Sequence, residues 1–391
     1  MKALNWVILV ILLGSSVACK QSRTKQGLVD KATELESTGV FLDPANFQKT
    51  INGKETGLYK LSNANGMEVY VTNYGAVIVA ILAADRDGNM DDIALGYNEV
   101  EPYGIAGDPN FGAVVGRFGN RIDGGKFSLD GKTYDLPINE DNNNNQLHGG
   151  KKGFGELVWD VVGVSDNAIT LGLKSPDGDM GYPGTLDVLV EYVLTDENEL
   201  EVGYRAVTDA PTVINLTQHT YFNLLGEGNG NILDHELMMK ADHFIPINER
   251  SIPTGKIAPV KGTPMDFTSP AKIGSRLNED FEQLVVGNGY DHCWVINKEK
   301  DGLELCASVY CEETGRFMEV LTTEPGVQLY IGNFLNDSQV GKSGAAYERR
   351  SGLCLETQHY PDSPNQPDFP STVLRPGEEF FSLTVFKFSV K

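Results

Sequence analysis

The sequence predicts an all-β protein, a large antiparallel β-sandwich with very little helix. Short apolar runs recur at a period of two, and 43 glycines and 18 prolines punctuate them. Helical periodicity is nowhere sustained over about eleven residues, the shortest window that would argue for an amphipathic helix. Residues 57–82 read as two alternating runs about Asn65-Gly66, and residues 127–139 repeat the design about Asp130-Gly131. Asn-Gly and Asp-Gly supply the positive φ angles that tight hairpins require. Residues 168–175, 185–195, 199–208 and 380–390 keep the same period. No internal repeat and no shift in composition divides the chain after Phe41, so residues 41–391 read as one domain.

Acidic residues outnumber basic ones, 54 against 32, for a formal charge of −22, and no Lys/Arg cluster is segregated. Such a field repels a phosphate backbone, which argues against nucleic acid as a partner. Residues 1–18 carry a single Lys2, an apolar run from Trp6 to Leu13 and then small residues, the physics of a secretory signal too short to span a bilayer stably. Cys19 follows at once, and the order resembles a bacterial lipoprotein signal. That resemblance implies lipidation of Cys19, with residues 19–40 as a polar tether. Ser16 stands where such signals usually carry leucine, so plain secretory cleavage after Ala18 is the alternative. No acidic run follows Cys19, which favours the periplasmic side. Membrane contact is therefore expected only through this anchor.

The other four cysteines, Cys293, Cys306, Cys311 and Cys354, form no C-x-x-C pair. A zinc ribbon or redox motif is not expected. Cys306 and Cys311 lie in a segment that reads as strand, which turns them to opposite faces roughly 17 Å apart. All four read as small buried hydrophobes.

Six segments offer polar chemistry. In CLETQ, residues 354–358, strand alternation puts Cys354, Glu356 and Gln358 on one face and Leu355 and Thr357 on the other. A carboxylate aimed into a cleft and an exposed glutamate on an edge strand both fit. In NLTQHTYFNL, residues 215–224, alternation collects Asn215, Thr217, His219, Tyr221 and Asn223 on a polar, aromatic face suited to sugar hydroxyls and ring faces. GRFGNRI, residues 116–122, sets two arginines and an asparagine on a tight backbone, and DNNNNQLHGG places His148 on a loop. GYDHCW adds Asp291 and His292, and EPGVQLYIGNF adds Gln328. His235 and His243 lack convergent polar neighbours and read as structural, and Asp266 in a proline-flanked turn reads as a backbone cap.

Taken in order, NYGA, DIALGY, FGAVVGRFGNRI, LHGGKKGF, DGDMGYPGTLDVLVEY, NLTQHTYFNL, GYDHCW, EPGVQLYIGNF, CLETQHYPDSPNQPDFP and LRPGEEF resemble the aldose 1-epimerase family, the galactose mutarotase type, from Asn73 to Phe380. The resemblance implies an open sugar cleft on a β-sandwich. It implies His219 as general acid, Glu356 as general base and His148 as a second histidine near the ring oxygen. Asn120, Arg121, Asp291 and Gln328 match its hydroxyl-binding residues. Phe118-Gly119 and Cys293-Trp294 depart from the usual residues, which leaves the preferred sugar open. The reaction needs a proton taken from the C1 hydroxyl and another delivered to the ring oxygen, with acid and base expected to face each other across the sugar. No metal, nucleotide or other cofactor is required. The alternatives from other classes are a non-catalytic, lipid-anchored sugar-binding protein on the same scaffold and a glycosidase using Glu356 with Asp291.

Overall fold

In the computed structural model, residues 42–105 and 109–391 are described; the signal, Cys19 and tether expectations fall outside them. Three antiparallel sheets dominate. The largest has nine strands in the order Asp160–Val164, Ala168–Ser175, Leu186–Leu194, Glu199–Thr208, Phe380–Val390, Arg316–Thr322, Glu304–Tyr310, Glu236–Met239 and Ala271–Lys272. Leu186, Val188, Val190, Tyr192 and Leu194 are buried along one strand while Asp187 and Glu191 are exposed, so the period read from the sequence is the period of burial. A five-stranded sheet orders Ala258–Pro259, His243–Ile245, Asp291–Val295, Gly326–Tyr330 and Cys354–Gln358. Its Trp294, Val327, Leu329 and Leu355 share one hydrophobic core with Val188, Val202, Val320 and Phe386 of the large sheet, which makes a sandwich. The single α-helix among the described residues is Glu282–Val286.

The hairpin at Asp130-Gly131 forms with both residues at positive φ, joining Lys126–Leu129 to Lys132–Asp135. The segment about Asn65-Gly66 is longer than two runs. Leu58–Ser62 and Glu68–Thr72 pair, and Val77–Ala84 and Met90–Asp92 complete a four-stranded sheet. The strand with Cys306 ends at Tyr310 and shifts register between Leu305 and Ala307, so Cys306 and Cys311 both enter the main core. An irregular strand does not keep strict alternation. All four described cysteines are buried and free. His235 is buried, its Nε2 accepting from Leu224 N at 2.9 Å. His243 is exposed. Asp266 caps Thr268 as expected.

Candidate active site

One face of the five-stranded sheet builds the site. Across three adjacent strands, Asp291, Tyr330 and Cys354 are in register, and so are Cys293, Gln328 and Glu356. Residues in register share a face, so the polar row points one way. The intervening His292, Leu329 and Leu355 point into the core. His292 packs there against Phe244 and Trp294. The alternation expected for CLETQ therefore holds, and Glu356, although on an edge strand, is only 2% exposed.

A second pair of segments meets this face. Arg121–Asp123 pairs with Asn145–Leu147, which sets Arg121 opposite Leu147 and Asn120 beside His148. His148 N donates to Asn120 O at 3.0 Å, and Asn120 N donates to His148 Nδ1 at 3.2 Å. With Nδ1 accepting, the imidazole proton of His148 belongs on Nε2. Arg121 donates from Nε and Nη2 to Glu140 at 2.8–3.0 Å, and its Nη1 lies 3.8 Å from Asp291 Oδ2. Glu140 was not singled out in the sequence; only the fold brings it to Arg121.

His219 arrives on a segment that is strand only at Thr217–Gln218, which pairs with Val114–Val115. Bonds from His219 N to Ala113 O and from Gly112 N to His219 O fix its backbone. Asn215 ties the segment to the chain just past Glu356, donating to His359 O at 3.2 Å and accepting from His359 N at 2.9 Å. Of the polar face expected for residues 215–223, only His219 and Tyr221 line the cavity. Asn223 instead donates to the carbonyls of Gly230 and Ser351, because a segment without a continuous ladder must satisfy its backbone neighbours with side chains.

The cavity, about 380 Å³, is lined by Asn120, Arg121, His148, His219, Asp291 and Glu356 together with Asn110, Leu147, Tyr221 and Tyr330. Phe334, Leu335, Asn336, Ser338 and Gln339 close another side. The alternation of EPGVQLYIGNF could have supplied Tyr330, two residues beyond Gln328 on the same face. Gln328 stands behind the cavity rather than in its wall, and its Nε2 donates to Asp291 Oδ1 at 2.7 Å. Arg117 is buried, spanning the carbonyls of Pro183 and Gly184 and the hydroxyl of Ser175. Of the two arginines in GRFGNRI, one is structural.

His219 Nε2 lies 3.7 Å from Glu356 Oε1, both side chains being about 95% or more buried. At that distance no sugar ring fits between them, so they do not face each other across the substrate as the sequence reading expected. Burial pushes the Glu356 carboxyl up to about 8, with the Asp291 charge adding to the rise and Arg121 opposing it. Burial brings the His219 imidazole down to about 4. His148 falls well below the ordinary imidazole range through burial, then through His219 and Arg121. At neutral pH the His219–Glu356 pair thus holds one proton. His148, His219 and Glu356 bring ligand atoms within 4.8 Å of one another, and a cation could enter there only in competition with that proton.

The sequence profile of the aldose 1-epimerase family matches residues 57–387. The chain belongs to the aldose 1-epimerase family. Within the family it is 48% identical over 324 residues to galactose mutarotase of Bos taurus, covering 83% of this chain and 92% of the relative. It is 37% identical over 339 residues to aldose 1-epimerase of Escherichia coli K12, covering 86% and 96%. The crystal structure of a galactose 1-epimerase from Lactobacillus acidophilus superposes with a TM-score of 0.76 at 30% identity, covering 88% of this chain and 97% of that one. A GalM/aldose epimerase homologue from C. elegans gives 0.79 at 29% identity, covering 86% and 99%.

Proposed function

We propose that the protein interconverts the α and β anomers of free aldoses of the galactose and glucose type, with His219 and Glu356 as its proton-transfer pair. With the pair's one proton on His219 and Glu356 as carboxylate, Glu356 takes the proton of the C1 hydroxyl while His219 delivers its own to the ring oxygen, and the bond between C1 and the ring oxygen breaks to leave an aldehyde. Rotation about C1–C2 and reversal of both transfers close the other anomer. The hydroxyl and the ring oxygen are bonded to the same carbon, so two groups side by side reach both. Arg121 and Asp291 offer a donor and an acceptor to the remaining hydroxyls, Asn120 adds its amide, Gln328 holds Asp291, and His148 stands edge-on to His219 with ring centroids 5.1 Å apart.

The 3.7 Å approach of His219 Nε2 to Glu356 Oε1 within one cavity carries this reading. The test is polarimetry on pure α-galactose and α-glucose. Glu356→Gln and His219→Gln are each expected to slow anomer interconversion by about 10²- to 10⁴-fold, with sugar binding kept in calorimetry. Wild-type rates in both variants would end the assignment.

We also propose that the chain is exported and held at the periplasmic face by a lipid on Cys19, which rests on the order of residues 1–19 alone. Metabolic palmitate labelling should mark the wild-type chain and not Cys19→Ser. Equal labelling of both, or of neither, would remove the anchor.

A further inference from the structure

The loop that follows Glu356 folds back on the strand that carries Arg121, and Asp362 makes the junction. Asp362 is 1% exposed and sits in the left-handed region at φ 57°. Aspartate tolerates that conformation better than most side chains. There its backbone and its carboxylate address the same edge of Arg121–Asp123. Asp362 N donates to Arg121 O at 2.9 Å, and Oδ1 accepts from Asp123 N at 3.0 Å. One residue thus supplies both the donor and the acceptor of a ladder contact, while the strand pairs with Asn145–Leu147 along its other edge. Oδ1 also accepts from Asn365 Nδ2 at 2.7 Å, and Oδ2 from Gln366 Nε2 at 3.0 Å. Pro361, Pro364, Pro367 and Pro370 stiffen the loop around these bonds.

We infer that Asp362 is a positioning residue for Arg121: it clasps the strand of the sugar-binding guanidinium to the loop that follows the base, and so sets where Arg121 stands relative to Glu356. The inference rests on the proposed function and adds to it a residue outside the cavity wall. The other groups of the site have supports of their own. Asn120 is held by its two bonds to His148, His219 by Ala113 and Gly112, and Glu356 by its ladder to Gly326–Tyr330. Glu140 grips the guanidinium but bridges to Asn145, so it travels with the strand of Arg121. Toward the sheet of Glu356 the guanidinium makes the 3.8 Å approach to Asp291, longer than a hydrogen bond. Loosening the clasp therefore shifts Arg121 before it shifts the proton-transfer pair.

Variants at this position separate the carboxylate from the backbone, because glycine and asparagine both accept the left-handed conformation. Asp362→Gly removes every side-chain acceptor. It is expected to raise KM, and the galactose Kd read by calorimetry, about tenfold, with kcat changed less than about threefold, since Arg121 binds hydroxyls that do not react. Asp362→Asn keeps an oxygen for Asp123 N and is expected to stay within about twofold of the wild type. Added to Arg121→Ala, the change Asp362→Gly should raise KM no further, because the clasp acts through the guanidinium. A wild-type KM in Asp362→Gly, a fall in kcat as large as the rise in KM, an asparagine variant as impaired as the glycine one, or additive effects in the double variant would each overturn the inference. If Asp362→Gly does not fold, hydrogen exchange in the wild type decides. The Asp123 amide, bonded to Oδ1, is expected to be protected about a hundredfold or more, and free exchange there would overturn the clasp. Wild-type turnover in both His219→Gln and Glu356→Gln would fail the proposed function instead, while the calorimetric Kd reads the clasp without turnover.

Discussion

At Glu356 and His219 the same physical term, loss of water around a charge, acts in opposite directions on an acid and a base. It raises the carboxyl to about 8 and lowers the imidazole to about 4. The resting pair is neutral imidazole beside a carboxyl that keeps its proton. This has the same proton count as imidazolium beside carboxylate, the form in which Glu356 can accept and His219 can donate; ring opening starts from that form and moves its one proton from His219 to Glu356 through the sugar. The two limits of activity then belong to the pair. Below pH about 4 it gains a second proton and no base remains; above pH about 8 it loses its only proton and no acid remains. kcat/KM is expected to trace a bell with limbs near those values, the alkaline limb reporting the carboxyl. In His219→Gln the acid limb should go while the alkaline limb stays. A profile whose alkaline limb survives Glu356→Gln would contradict the assignment.

At the scale of elements, what the sequence made legible was local and periodic. Strand geometry fixes which residues of CLETQ share a face, so the direction of Glu356 could be read before any partner strand was known. What it hid was non-local. Nothing in GRFGNRI or DNNNNQLHGG announces that Arg121–Asp123 pairs with Asn145–Leu147, or that Glu140 will grip Arg121. The segment carrying His219 looked like a long strand because its residues alternate, yet only Thr217–Gln218 is laddered and its asparagines serve the backbone. GRFGNRI and DNNNNQLHGG also meet at a pair of glycines. Gly149, at φ +84°, lies against Gly116, and a Cβ at 149 would collide with the Gly116 carbonyl. That contact explains the glycine directly after His148. Gly149→Ala is expected to lower stability by about 1–3 kcal/mol in urea unfolding, and to cut kcat by displacing His148. Unchanged stability and turnover would show that the loop can give way.

For the whole molecule, the cavity depends on a sheet that contributes no group to the proton transfer. The connection between Gly326–Tyr330 and Cys354–Gln358 leaves the site sheet, supplies Phe334 to Gln339 as a cavity wall, and is pinned farther on by Lys342 and Tyr347. Lys342 Nζ donates to the carbonyls of Val79 and Ala94 at 2.6 and 2.7 Å and lies 3.2 Å from Asp92 Oδ2, with both side chains fully buried. Tyr347 bonds Glu227 and the Gly96 backbone. Burial raises the Asp92 carboxyl to about 6 even with Lys342 opposing the rise, so its ionised form weighs against folding. The stability of its neutral form is complete below the ordinary carboxylate value of 3.8 and is lost as pH climbs through 6. The ion pair therefore fixes the wall in place more than it stabilises the fold. Lys342→Ala removes the cation that opposes the rise, so at pH 7 Asp92 must either stay charged and unpaired or take up a proton, for an expected cost of about 3–5 kcal/mol. At pH 5 the carboxyl is protonated and the cost should shrink, leaving mainly the orphaned carbonyls of Val79 and Ala94. Because the anchor holds the wall and not the proton-transfer pair, the variant should raise KM more than it lowers kcat. Urea unfolding at the two pH values and sugar titration at pH 7 measure both, and a stability loss that grows toward pH 5 would show that Asp92 is not the group left unpaired.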